Sequence, residues 1–357
     1  MLEGQVSALS TGSTPPEVAV EVLESLFDSN VYRADQHSFM LYPDRDLPSF
    51  LEKNRIPDAA IDGIPLLKQL IDEGDESLAS RDRDGVCRFN AEFVNRQNLR
   101  DALDELAESR GDEVVAAARE PLDALYEDVF NHQAFTGRSG GMFGFEGLGC
   151  IYWHMVSKLL LAVQENFFHA IDSGAADATV QRLGDLYYRV RFGIGFNKTP
   201  DEFGAFPYDP YSHSPKHAGA QQPGMTGQVK EEVLTRFGEL GIRVTEGKAH
   251  ILPRLLRRQE FSGSAQSLRY VDVNDNWQQL EIPENGLAFT WCQVPIVYKL
   301  GDGGGEVVVT LKDGSTETIS SLELSAEHSA AIFERSGEVA RLDVTVPESG
   351  LFTEHNT

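Results

Sequence analysis

The chain has 357 residues, 41% of them hydrophobic, and a formal net charge of −25, which is enough length for two domains with their own cores. A surface this acidic repels nucleic acid phosphates and anionic membrane faces, so neither is expected as a partner. Cys87, Cys150 and Cys292 are odd in number, far apart and never in a CxxC pair, which signals neither a disulfide framework nor a structural metal site.

The opening residues Met1 to Gln5 lack the basic start and apolar core of a signal peptide. With the scattered cysteines, this reads as a cytoplasmic protein. Residues 1–14 are small and polar, the pattern of a disordered lead-in. Pro15 and Pro16 then open a helix in which Val18, Val22, Leu23, Leu26 and Phe27 recur at helical spacing. The run from Phe39 to Leu51 reads as an extended piece leading to a short helix. Helices are predicted at about 59–72, 91–108 and 112–132, the second marked by Leu99, Leu103 and Leu106 and the third by Val115, Leu122, Tyr126 and Phe130.

Between Phe135 and Gly147 five glycines stand among Arg138, Glu146 and aromatic residues. Each glycine costs backbone entropy on ordering, so something must approach this backbone closely. From Leu148 to Ile171 the chain is apolar nearly all round, the mark of a helix inside a larger protein. His154, Lys158 and Glu165 make a membrane span a poor reading of it. His154 reads as a hydrogen-bonded core histidine. After a helix from Ala175 to about Arg191 comes a long loop, 196–225, dense in aromatics, carboxylates, His, Gln and Pro. A loop of that length in a compact protein is usually functional, and its aromatics argue for order.

Thr226 caps a helix whose apolar face is read as Val229, Val233, Leu234, Phe237 and Leu240, with Gly241 as its stop. Glu231 and Glu232 are then expected in solvent. Beyond Ile242 the pattern changes to short strands: 248–256, 268–273, 287–300, 306–312, 316–322, 329–334 and 340–346, with turn signals at Asp302–Gly305 and Asp313–Gly314. The fold class is α+β: helices over 15–241, then an all-β sandwich over 242–357.

The run His217, Gly219, Pro223, Gly224, Met225, Thr226, Gly227, followed by a helix and then Gly241, Ile242, Arg243, Gly247, Ile251 and Pro253, resembles the end of the catalytic domain in (α/α)6-toroid glycoside phosphorylases and hydrolases, nearest the cellobiose-phosphorylase group. The resemblance implies a helical toroid, or the later part of one, ahead of the β-sandwich. It also implies cleavage of oligosaccharide glycosidic bonds by inversion. The departure is that fewer helices are present than a full toroid holds, and no counterpart is found of the tryptophan-and-aspartate motif that carries the acid in that group.

Inversion by water needs two separated carboxyl groups, whereas phosphate as nucleophile needs only an anion pocket. Glu146, at the mouth of the apolar helix, is the first candidate for the acid. Asp201, Glu202 and Asp209 are candidates for the second carboxylate. Thr226 and Gly227, at a helix N-terminus, and Lys230 are candidates for phosphate. Substrate-binding candidates are Arg138 as a bidentate clamp, Trp153, Tyr208 and Tyr211 as stacking rings, and His213, His217, Gln221 and Gln222 as hydrogen-bonding groups. Pro215 between His213 and His217 removes the helical spacing of a zinc pair, and no metal or cofactor is expected beyond inorganic phosphate as co-substrate. The rival is a non-catalytic carbohydrate-binding or assembly module that joins helices from another chain or forms a homo-oligomer. Neither GxxxxGK[ST] nor a strand followed by GxGxxG is present, which excludes the common nucleotide-binding loops.

Overall fold

The computed structural model describes residues 1–43, 48–135, 151–194, 198–203, 211–214, 222–223, 226–302 and 305–355. The chain divides into two compact units, one made of Met1–Tyr42 with Cys150–Thr357 and the other of Pro43–Gly149. The second is thus inserted, along the sequence, into the first.

The first unit opens with helix α1 (Leu2–Leu9) and helix α2 (Pro16–Phe27). The expected disordered lead-in is therefore helical. Leu2, Val6 and Leu9 are buried in the main core, the Leu2 amide donates to the Leu41 carbonyl at 3.0 Å, and the Asn166 amide donates to the Leu9 carbonyl at 2.8 Å. An i, i+4, i+7 apolar triplet in a small-residue stretch is enough to dock it. Strands β1 (Tyr32–Arg33) and β2 (Ser38–Phe39) pair antiparallel.

The inserted unit contains α3 (Phe50–Lys53), α4 (Asp58–Asp62), α5 (Pro65–Glu73), strands β3 (Ala79–Arg81) and β4 (Cys87–Phe89), α6 (Arg96–Arg110) and α7 (Asp112–Phe130). The helix expected at 59–72 is broken in two at Gly63 and Ile64, ahead of Pro65, which disfavours the helical conformation of the residue before it. The unit has its own core, with Leu67, Leu70, Leu99, Leu103, Leu122 and Tyr126 fully buried. Buried Asn54 clamps β4 from both sides of its amide: Nδ2 donates to the Phe89 carbonyl and Oδ1 accepts from the Phe89 amide, each at 2.9 Å.

Back in the first unit come β5 (Ile151–Tyr152), α8 (Trp153–Asp172), α9 (Asp177–Phe192), α10 (Pro200–Phe203), β6 (Tyr211–Ser214), β7 (Gln222–Pro223) and α11 (Thr226–Leu240). Helix α8 packs against α1, α2, α9 and α11, which explains its apolarity on every side. Strands β8 (Ile242–Thr245) and β9 (Lys248–Ile251) form a hairpin, as do β10 (Gln266–Val271) and β11 (Trp277–Ile282). Next comes a five-stranded sheet, from β12 (Gly286–Trp291), β13 (Val294–Gly301), β14 (Glu306–Leu311), β15 (Thr316–Ile319) and β16 (Val339–Pro347), in the order β12-β13-β16-β14-β15 with β13 and β16 parallel. The single strand expected over 287–300 is a hairpin. Cys292 and Gln293 both adopt positive φ, 49° and 66°, in the two-residue turn that suits strand twist, here without the usual glycine or asparagine signal. Of residues 329–334, expected as a strand, 329–333 lie instead in helix α12 (Ala326–Phe333) and Glu334 is its C-cap; the helix is capped at its start by the Ser325 hydroxyl, which accepts from the His328 amide at 3.0 Å.

Helix α11 is turned differently from its expected setting. Val233 and Leu234 are 49% and 45% exposed, while Glu231, Thr235 and Glu239, spaced by four, face inward. Gly238 permits this: a Cβ there would lie 2.0 Å from Gln164 Oε1, and Gln164 Nε2 donates to the Thr235 carbonyl at 2.8 Å. Glu239, 1% exposed, accepts from the Tyr187 hydroxyl at 2.6 Å and from Arg236 Nη1 at 2.8 Å, and pairs with Arg191. Arg236 also reaches Glu260 at 2.6 Å. A buried carboxylate with three donors is tolerable, but one stripped of its partners is not, and removing it leaves arginines uncompensated.

Glu239→Ala should accordingly lower the free energy of unfolding by about 3–5 kcal/mol in denaturant titration, while Asp104→Ala, which breaks an exposed pair with Arg119, should change it by less than about 1 kcal/mol. Residues 48–135 expressed alone should unfold in one cooperative transition by circular dichroism, because their core is internal to them.

Candidate functional site

Strand β5 pairs with β6, placing Ile151 opposite Ser214 and Tyr152 opposite His213. Strand β6 pairs in turn with β7, placing Tyr211 opposite Pro223 and His213 opposite Gln222 across an irregularity. A bridge from Met40 to Ile151 adds the end of the N-terminal segment. This small sheet gathers three stretches far apart in sequence, and it sits where two helices begin. β5 runs directly into α8, and β7 lies just ahead of α11.

Those helices run side by side in the same sense, for Gln164 bonds Thr235 and, eight residues on, Asp172 holds Arg243 at 2.6 Å and 2.9 Å. Their N-termini therefore lie at one end of the pair. Each helix start has backbone N–H groups with no helical partner and the positive end of its dipole. Two such ends beside this sheet make a setting for an anion.

Only part of the candidate set is brought together. Tyr211, His213 and Gln222 are gathered by strand register, and Thr226 and Gly227 open α11. Arg138, Glu146, Tyr208, Asp209, His217 and Gln221 lie outside the described residues, and of Asp201 only the backbone, in α10, is described. Glu202 is an exposed capping residue: its carboxylate accepts from the Thr199 amide at 2.8 Å and hydroxyl at 2.9 Å, and those bonds hold its pKa below the usual carboxylate value. It stays ionised, as the second carboxylate of the expected pair would be, with its Oε2 engaged in capping α10.

Two candidates differ from their expected settings. Trp153 has no exposed surface, and the ammonium of Lys198 stands 4.6 Å from its ring centroid, so it is a wall of the protein and not a platform for sugar. Lys230 has a side chain 70% exposed, 3.9 Å from Glu231; the inward turn of Glu231 directs its neighbour outward, away from the buried flank of α11.

Sequence reasoning misses several residues. Lys198, 7% exposed, donates to Gln36 Oε1 at 3.2 Å, with Arg33 and Asp35 joined nearby at 3.0 Å. Burial, and next the Arg33 charge, push the Lys198 pKa down to about 7. Glu231 is 4% exposed, and its Oε2 has no hydrogen-bond partner among the described residues. The spacing of Glu231, Thr235 and Glu239 is visible in the sequence as one helical face, but its polarity makes it look like the wet one. Among the described residues, no group of three His, Cys, Asp or Glu is placed to hold a metal ion, and no helix is long and apolar enough to cross a membrane.

The buried lysine sets a pH dependence. Its folded pKa lies below the unfolded one, so between about pH 7 and the ordinary lysine value the folded chain binds fewer protons, and its stability rises with pH through that window. Between about pH 7 and 10 the melting temperature of the parent chain should therefore rise relative to that of Lys198→Met, measured by calorimetry across that range.

Residues 47–133 match a family model described as GH149 phosphorylase insertion domain 2. The match covers about a quarter of the chain and falls within the inserted compact unit. No curated protein matches the chain. The inserted unit thus supports a glycoside phosphorylase-related protein, without bearing on the cellobiose-phosphorylase group or on a toroid.

Proposed function

We propose that this chain is the part of a glycoside phosphorylase that carries an inserted domain and the later helices of an (α/α) toroid, and that it takes part in inverting phosphorolysis of an oligosaccharide. The observation that carries this reading is the match of residues 47–133 to a phosphorylase insertion domain, coincident with a unit bracketed along the chain by the two segments of another. Likeness to a phosphorylase domain also favours phosphate over water as the nucleophile.

In this reading phosphate sits at the start of α11, held by the Thr226 hydroxyl and the free N–H groups about Gly227. His213 and Gln222, opposite each other on β6 and β7, bind sugar hydroxyls or phosphate oxygens, with Tyr208, Tyr211, His217, Gln221 and Arg138 completing the substrate contacts. Glu146 donates a proton to the glycosidic oxygen as a phosphate oxygen attacks the anomeric carbon from the opposite face. The bond to the leaving sugar breaks, and a glycosyl phosphate of inverted configuration results. A catalytic base is not required, so Asp201 and Asp209 act in hydrogen bonding to substrate rather than in water activation. In this reading the strands beyond Gly241 correspond to the β-sandwich that follows the helices in such enzymes.

The test is an oligosaccharide panel with and without inorganic phosphate, read by 31P NMR for a sugar 1-phosphate. Phosphate-dependent product is expected. Glu146→Gln should abolish turnover with sugar binding retained in calorimetry, and Thr226→Val should raise the KM for phosphate by about tenfold, the loss of one hydrogen bond to a charged group. Binding of sugar by the parent chain with no turnover under either condition would replace this reading with the non-catalytic module.

A further inference from the structure

The residues that begin the 199–225 segment are fastened far more tightly than a loop root needs for connection alone. Gln36 spends both ends of its amide there: Oε1 accepts from Lys198 Nζ at 3.2 Å, and Nε2 donates to the Glu202 carbonyl. Thr199 and Glu202 close the first turn of α10 on themselves. Just upstream, Gly193 lies so close to the Ala34–His37 turn that a Cβ would fall 2.1 Å from the His37 carbonyl oxygen, and the His37 ring meets Phe192 edge-on at 5.0 Å. The Lys198 ammonium lies over the face of Trp153, the first residue of α8.

We propose that Lys198 is a positioning residue: it ties the root of the 199–225 segment to the head of α8 and to the turn before β2, and so sets where β6 and β7 stand relative to the two helix starts. The proposal rests on the phosphorylase reading for its catalytic consequence, but not for the fastening itself. A lysine here is a poor choice for packing alone. Burial disfavours its charge, and a methionine of similar length would fill the space without that cost. What methionine cannot do is donate to Gln36 and present a cation to an aromatic face. Both bonds are strongest for the ammonium form, whose population falls as pH rises past about 7. Among the described residues, Arg33 opposes the charge, and Glu202 and Asp35 favour it. His37 and His154 lie nearby in the chain, His154 beside the Tyr152 hydroxyl at 3.3 Å.

The experiment uses the full chain with Lys198→Met and Lys198→Arg, first by thermolysin cleavage within 199–225 under native conditions. Cleavage is expected to be about tenfold faster in Lys198→Met and near the parent rate in Lys198→Arg. With Trp277→Phe and Trp291→Phe added, emission from Trp153 should show a transition near pH 7 that Lys198→Met removes. In phosphorolysis, kcat of Lys198→Met should fall by about tenfold with little change in KM, and an alkaline limb near pH 7 should vanish in Lys198→Arg. Unchanged cleavage in Lys198→Met, or a Trp153 emission transition that survives it, overturns the proposal. Faster cleavage in Lys198→Met, with its emission transition lost and no phosphorolysis by any form, upholds the fastening and sinks the phosphorylase reading instead.

Discussion

The buried carboxylate of Glu239 is the constraint on which the arrangement of the first unit depends. A lone ionised glutamate at that depth would be prohibitive, so the site is viable only with Tyr187 and Arg191 from α9 and Arg236 from α11 all in place. Through Arg236 the same network reaches Glu260 in the turn beyond the β8–β9 hairpin. One charge therefore fixes the rotation of α11 about its axis and its tie to the turn after that hairpin. The rotation puts a polar stripe inward and Val233 and Leu234 outward, the opposite of what hydrophobicity alone asks. Specificity of packing has been preferred here to the burial of more apolar surface.

With α11 so placed, its start lies beside the start of α8, and the β5–β6–β7 sheet stands at that shared end. The Lys198 ammonium, in a place that disfavours its charge, is held by Gln36 and the face of Trp153. Trp153 then has a purely internal role, as the surface against which that lysine is held.

The inserted unit stands on its own core and resembles a phosphorylase insertion domain. Its helices are laced by ion pairs such as Arg96 with Glu127 and Arg110 with Asp75, so part of the acidic excess is internally matched. The rest keeps the surface repulsive to other anions.

Much is legible from residue order alone. Apolar periodicity locates α2, α6, α7, α8 and α9, because each buries a stripe in a core large enough to reward it, while Thr226 and Gly241 mark the ends of α11. The change from helices to strands at Gly241 is also readable, whereas the pocket expected between residues 135–147 and 196–226 lies largely outside the described residues. Other features depend on partners distant in sequence. The docking of α1 rests on Asn166 and Leu41, and the hairpin at Cys292 on strand twist rather than turn residues. The inward face of α11 rests on arginines and a tyrosine supplied largely by another helix, and the burial of Lys198 on Gln36 and Trp153. A side chain's own chemistry states what it can tolerate. Whether a charge is dissolved or enclosed is decided by the neighbours that folding brings to it, and those no local pattern records.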